Sequence, residues 1–415
     1  MGFIIGALKV ILLLGTLIII HEFGHFIVAK ACKIKVLKFS IGFGPKLVKY
    51  KGKETEYSLR ALPLGGFVQL EGEEDESDDP RAYSNKPAWQ RILVLLAGVT
   101  INILFALIVY IGINMNINQY IIPEITDISE NVIAQNAGIE IGDEIYKINN
   151  ERVYNNYDIS RIISNAKSNE FEFEIIKADG KRKAFVIDIP KQKIGYIGVA
   201  FTNNVVYSVE ENSAGMEAGL KVNDKILEIN GESKESINEY LSIIKANPNQ
   251  RIDVLVERDT AEIQLMIVPR GKETRNFKLG YKKLENLTFI ENLKCALNET
   301  AYYLRANLIG FGELFSGNTE NVEIQGIVGI SKQISSTEKA IEFFYMMSAI
   351  SLSLGFMNLL PIPGLDGGKL IFTLVELIRR KPVSKELEGT LTLAGFGVLV
   401  LLMIFVTVSD VIKLF

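Results

Sequence analysis

The residues best equipped for chemistry stand together near the start of the chain, as His21-Glu22-Phe23-Gly24-His25. Both histidines of the protein lie within these five positions. Residues four apart share one face of a helix, so both imidazoles can point at one metal ion while the glutamate between them reaches a water held by that ion. Zinc is the default ion for such a set. It accepts imidazole and carboxylate ligands, keeps a position open in catalytic sites, and lowers the pKa of a bound water from about 15.7 towards about 7. His21 and His25 are therefore candidate ligands of one Zn2+, and Glu22 is the candidate base.

A third protein ligand is needed, and with no further histidine it must be a carboxylate or a thiolate. The stretch Asn358-Leu-Leu-Pro-Ile-Pro-Gly-Leu-Asp366-Gly-Gly offers Asp366. Taken alone, Asp-Gly-Gly reads as a helix-ending turn. Pro361 and Pro363 add to it, because they break helical hydrogen bonding in an apolar stretch, where unpaired backbone is tolerated only beside protein or water. Such a broken segment could hold an unwound substrate. Cys32 and Cys295 lie far apart without paired spacing and read as ordinary buried thiols.

The elements that must position these residues are apolar. Stretches at 4–30, 91–113, 343–362 and 389–412 are each near the roughly 20 residues that cross a bilayer. Hydrophobic residues make up 48% of the chain and charged ones 23%, a mixture that implies membrane and aqueous parts in one polypeptide. The net charge of −4 argues against a nucleic-acid partner, which calls for a concentrated basic surface. Lys9, His21, Glu22 and His25 interrupt the first stretch; the histidines and the glutamate must face protein or water, since ionisable groups are costly at membrane depth. A cleaved signal peptide is the competing reading of this end, with Lys9 before Val10–Ile20 and a small-residue site at Ala29-Lys30-Ala31; cleavage would discard the histidines.

Lysines and arginines crowd the connection between the first two spans, from Lys30 to Arg91, and recur at Arg379, Arg380, Lys381 and Lys385 between the last two. Both connections are expected to be cytoplasmic, with the termini and the long middle segment outside. At about 1.5 Å per helical residue, His21, His25 and Asp366 then all arrive in the cytoplasmic half of the membrane.

Within the first connection, Gly42-Phe-Gly-Pro45, a turn near Gly52 and the alternating Glu56–Ala61 predict a hairpin close to the bilayer. The acidic run Glu71–Asp79 reads as a solvated loop. In the middle segment, Asn136–Asn149 and Glu217–Asn230 align at an offset of 81 positions, with Ala-Gly, Asp and Ile-Asn in register. Two soluble units of about 80 residues follow, each with alternating strands such as Phe171–Ile176 and Ile252–Glu257 and one short helix. They resemble PDZ domains, which add a peptide strand to a sheet edge and take its terminal carboxylate in a glycine-containing loop. Tyr196-Ile-Gly-Val199 is the expected loop, giving Ile197, Gly198 and Val199 as candidate peptide-binding residues, with a weaker Leu279-Gly-Tyr281 after the second copy. Residues 289–316 predict an amphipathic, interfacial helix.

The His-Glu-x-x-His span, the Asn358 to Gly367 stretch and the inserted modules together resemble the site-2 protease family of intramembrane zinc metalloproteases, specifically the bacterial RseP type. The likeness spans nearly the whole chain. It implies one zinc ion on His21, His25 and Asp366, with Glu22 activating the attacking water. It also implies substrate contacts at Asn358, a membrane-reentrant hairpin through Gly42–Pro45 and Pro63–Gly66 whose edge, with Gly65 and Gly66, aligns an extended substrate, and a packing or substrate-gating role for Asn102. Gly98-Val-Thr-Ile-Asn102 departs from the family's Gly-Pro-x-x-Asn by Val99.

The expected architecture is a polytopic α-helical membrane protein of about four transmembrane helices, with a cytoplasmic-side reentrant β-hairpin and two inserted extracytoplasmic PDZ-like α+β domains. The expected divisions are 1–115, 116–200, 201–284 and 285–415. The expected setting is the inner or plasma membrane, and the expected activity is intramembrane proteolysis of single-span membrane proteins such as anti-sigma factors or remnant signal peptides, with peptide C-termini as further partners of the modules. A non-catalytic receptor with a structural metal is the alternative. A metal transporter is disfavoured by the scarcity of intramembrane carboxylates and histidines.

Overall fold

The computed structural model describes residues 2–73, 77–128, 131–316, 327–337, 339–381 and 383–412. The chain opens with α1 (Gly2–Ala31), the antiparallel pair β1 (Val36–Lys51) and β2 (Glu56–Leu70), and α2 (Ala88–Ile117). A β-rich stretch follows: β3 (Gln119–Asp127), α3 (Val132–Asn136), β4 (Glu144–Ile148), β5 (Glu151–Arg152), α4 (Asn156–Asn165), β6 (Glu170–Ile176), β7 (Arg182–Asp188), β8 (Lys191–Tyr196), β9 (Val199–Thr202), β10 (Val205–Val209), α5 (Ala214–Glu217), β11 (Lys225–Ile229), α6 (Ile237–Ala246), β12 (Ile252–Arg258), β13 (Ala261–Ile267), β14 (Arg270–Arg275) and β15 (Gly280–Glu285). Helices α7 (Phe289–Phe315), α8 (Ile327–Ser336), α9 (Ala340–Leu359), α10 (Asp366–Arg379) and α11 (Lys385–Ile412) complete it.

Four helical segments among the described residues are long and apolar enough to cross a membrane: Leu8–Ala31, Ala88–Ile117, Ala340–Leu359 and Glu386–Asp410. With the β-rich stretch they make a polytopic membrane protein carrying two β modules. The third span ends at Leu359, short of the expected 362. Leu360, ahead of Pro361, is extended at ψ 146°, as expected for a residue that precedes a proline.

Met1–Ile121 and Lys283–Phe415 form one compact unit, and Ile122–Lys282 forms a second. In the first, the apolar faces of α1, α8 and α9 meet at Leu13, Leu17, Ile334 and Met347. Helices α2, α7 and α9 meet at Ala106, Tyr110, Ala296 and Leu352. The foot of the β1–β2 pair joins α1 and α2 through Ala29, Val36, Leu70 and Val94. The predicted amphipathic helix is α7; it starts with Thr288, whose side chain and that of Glu291 cap each other's backbone.

The middle stretch holds two five-stranded paths, β15-β3-β4-β6-β7 and β13-β12-β11-β10-β9, plus a ribbon of β8 and β14. The 81-residue repeat is structural. Asp143 accepts from the Glu140 N–H and pairs with Lys177, and Asp224 accepts from the Lys221 N–H and pairs with Arg258. Asn149 and Asn230, both at positive φ, accept from Glu172 N–H and Asp253 N–H.

The division at 200/201 differs from the expected one. Ile197 and Val199 pack in the core of the second module, where β9 pairs with β10. Phe277, Leu279 and Tyr281 return to the core of the first, and β15 lies beside β3. The physical reason is the β8–β14 ribbon, running from Lys191 opposite Arg275 to Tyr196 opposite Arg270, through which the chain enters and leaves the second module. The second module is nested within the first, so the glycine loop after each copy belongs to the other copy.

Candidate metal centre and active site

Helix α1 presents His21 and His25 on one face, one turn apart, with Glu22 beside them. The Nε2 atoms of the two histidines lie 3.2 Å apart, and each is 3.1 Å from Oδ2 of Asp366. These three residues form a group of possible metal ligands among the described residues. Asp366 reaches them because α9 stops at Leu359 and the chain folds back before α10. That fold is tight: a Cβ on Gly367 would fall 2.2 Å from the Leu360 carbonyl oxygen, and one on Gly368 2.5 Å from that of Ile362.

Helix α2 supplies the back wall. A Cβ on Gly98 would lie 2.5 to 2.7 Å from His21 Cε1, His25 Nε2 and His21 Nε2, so only a glycine leaves room for both rings. His25 Nδ1 is 2.8 Å from the carbonyl oxygen of Val94. A carbonyl can only accept, so Nδ1 carries the proton and Nε2 keeps its lone pair for a metal. Two imidazole nitrogens and a carboxylate, converging in a pocket cut for them, fit zinc, which takes such ligands and leaves a fourth position open.

Glu22 sits where two cavities of about 190 and 210 Å³ meet, sharing His21, Glu22 and Asp366 in their walls. The first continues past Phe67, Val68 and Tyr83 to an ion pair, 2.6 Å long, between Lys369 and Glu73. The second is lined by Asn358, Gly364 and Leu365. Asn358, on the last turn of α9, brings its amide nitrogen to 3.2 Å from His21 Nε2. Gly66 of β2 pairs with Ile41 and would meet Glu22 Cγ at 3.2 Å if it bore a Cβ, while Gly65 turns with φ 141° against Phe43. The β2 strand therefore passes along the carboxylate of Glu22.

Other expected positions lie elsewhere. Asn102, for which a packing or substrate-gating role is expected, has no exposed surface and stands behind His21. Val99 is buried in α2, where valine retains the helical N–H that proline lacks. Ile197 is buried, Gly198 turns at φ 67°, and Val199 opens β9, an edge strand of the second module. Of the acidic run, residues 74–76 lie outside the described residues; Glu71 and Asp79 grip Lys35, and Glu73 reaches the cavity. Sequence reasoning missed Gly98, Val94, Glu73 and Lys369. Lys369 had a signal, since it lies one helical turn after Asp366.

Residues 9–402 match peptidase family M50. The chain belongs to that family, the site-2 proteases. It is 30% identical over 426 residues to the zinc metalloprotease RasP of Geobacillus kaustophilus, covering 98% of this chain and 97% of that one. It is 29% identical over 447 residues to the regulator of sigma-W protease RasP of Bacillus subtilis, covering all of both chains. The M50 peptidases are intramembrane zinc metalloproteases, and this chain is one of them. In this M50 chain the convergent ligand group draws on the first and third candidate spans, through α1 and the turn after α9.

Proposed function

We propose that this protease hydrolyses peptide bonds of single-span membrane proteins inside the bilayer, at one zinc ion held by His21, His25 and Asp366. The observation that carries the reading is the meeting of those three ligand atoms within 3.2 Å of one another. Zinc, when bound, supplies a Lewis acid that activates water and polarises the scissile carbonyl.

The protein's own groups do the rest. Glu22, at the junction of the two cavities, takes the proton of the attacking water and returns it to the leaving amine. Asn358 holds the substrate backbone beside His21. The strand around Gly65 and Gly66 aligns an unwound segment, since a closed helix hides its carbonyls in its own hydrogen bonds. Pro361 and Pro363 keep the opposite wall non-helical and able to bond that segment.

The β1–β2 hairpin dips into the membrane from the cytoplasmic side. Its exposed Phe43, Leu47, Val48, Tyr50 and Leu62 support that reading. The PDZ-like modules lie outside. They admit substrates already trimmed by another protease and hold back bulky ones, with β9 and the Gly198 loop taking peptide C-termini. The name of the Bacillus subtilis relative, a regulator of sigma-W, favours anti-sigma factors as one substrate class, with remnant signal peptides another.

The test uses purified full-length protein and a model single-span substrate in bilayers. Cleavage within the membrane segment, abolished by a chelator and by Glu22→Gln, is expected. Cleavage that persists in both cases would refute the reading.

A further inference from the structure

Three residues of α2, spaced four apart, form a seat for the two histidines. Val94 bonds His25 Nδ1 through its carbonyl, Gly98 leaves space for both rings, and Asn102 brings its side-chain nitrogen to 3.4 Å from His21 Nδ1. Asn102 is wholly buried and its Oδ1 has no hydrogen-bond partner. Amide oxygen and nitrogen are told apart only by their partners. Here the partners favour the reverse orientation. A ring that gives Nε2 to a metal carries its proton on Nδ1 and needs an acceptor there. Turned over, the amide offers Oδ1 to that proton, and the orphaned oxygen gains its bond. The same polarity already holds at His25, where the acceptor is a carbonyl.

We infer that Asn102 is a positioning residue for the metal, its amide oxygen accepting from His21 Nδ1–H and fixing both the tautomer and the plane of that ring. The inference rests on the metal site proposed above. Its sequence signal is the spacing Gly98-x-x-x-Asn102, which puts the void for the rings and the acceptor for one of them on the same helix face. The backbone is held as well, for Ser351 of α9 donates to the Asn102 carbonyl at 3.0 Å. The main chain at Asn102 is thus held from the helix that leads to Asp366.

The experiment measures zinc affinity of the full-length protein by competition with a chromophoric chelator, for wild type, Asn102→Leu and Asn102→Asp. Leucine keeps the volume and removes the acceptor; aspartate keeps the acceptor and removes the donor. Asn102→Leu is expected to bind zinc about 10- to 100-fold more weakly, and Asn102→Asp to stay within about threefold of wild type. An unchanged affinity in the leucine variant would overturn the inference. So would an aspartate variant as weak as the leucine one, because the amide N–H would then be what matters. If the leucine variant does not purify as a single species, Asn102→Ala takes its place with the same two outcomes. A wild-type protein that binds no zinc would bring down the metal reading itself, a result distinct from either variant's failure.

Discussion

Arg91 of α2 and Glu376 of α10 are joined by two parallel hydrogen bonds, of 2.9 and 2.7 Å. One helix backs the two histidines of α1 and the other begins with Asp366, so this pair fixes the helix of the candidate carboxylate ligand against the wall behind the two imidazoles. The Arg91 side chain is only 12% exposed, which leaves its charge little water to turn to. Replacing it with alanine removes no ligand but frees α10 to drift. The expected result is a fall in kcat/KM of roughly tenfold, the size of one charge-assisted hydrogen bond. Arg91→Lys is expected to recover only part of this, because lysine cannot make the two-pronged contact. Peptidase assays on both variants check it.

Gly98 and Gly112 lie on the same helix and make a matched pair. Gly98→Ala drives a methyl group into His21 and His25, whereas at Gly112 nothing stands within 4 Å of an added Cβ. Gly98→Ala is expected to cost most of the bound zinc and essentially all activity. Gly112→Ala is expected to leave both unchanged. Metal analysis of the two purified variants distinguishes a packing effect at the site from a general intolerance of α2 to alanine.

Glu22→Gln separates binding from chemistry. Glu22 does not belong to the ligand group of His21, His25 and Asp366. The glutamine variant is expected to keep its zinc while turnover falls by at least about 10²-fold, the smaller end of what a general base contributes. Parallel determinations of zinc content and of cleavage rate check both halves.

In the second module, Asp224 is buried beneath Arg258, whose guanidinium donates two bonds of 2.7 Å to the carboxylate. Burial raises the pKa of the carboxyl, but the Arg258 bonds and the Lys221 N–H outweigh it and hold the group below its ordinary value. A depressed carboxylate adds stability above its unfolded pKa and loses it as pH falls through the folded one. Amides of β11 and β12 in the full-length protein should therefore lose exchange protection on acidification below the ordinary carboxylate range. Arg258→Ala should lower it already at neutral pH, by about 2 kcal/mol. That is less than a fully buried pair would lose, because the Arg258 side chain is 21% exposed. Hydrogen exchange across a pH series checks both.

The site was legible in the sequence where its chemistry is local or rare. Two histidines one turn apart need nothing beyond helix geometry to converge, and Asp366 stood out because a third ligand was needed, no further histidine exists, and prolines break the apolar stretch just before it. The repeat was legible because Asp143 and Asp224 do the same work at the same spacing. The nesting of one module inside the other was not, since it depends on β8 choosing β14, a pairing between distant segments that no local pattern encodes. The Glu73–Lys369 pair was hidden for a similar reason. A run of acidic residues looks alike whether it faces bulk water or one member turns inward to meet a lysine nearly 300 positions away, the separation being 296. Asn102 was singled out by resemblance, yet its partner depends on the rotation of α2 against α1, which a period of 3.6 residues does not fix.

His21 and Asp366 are 345 positions apart, so the candidate ligand group can close only once Asp366 has been made and folded back. A chain still emerging from the ribosome therefore carries the candidate base and two of the three candidate ligands in its first span well before the third is available. A chain cut short ahead of Asp366 would keep the two imidazoles of that group and lack its carboxylate.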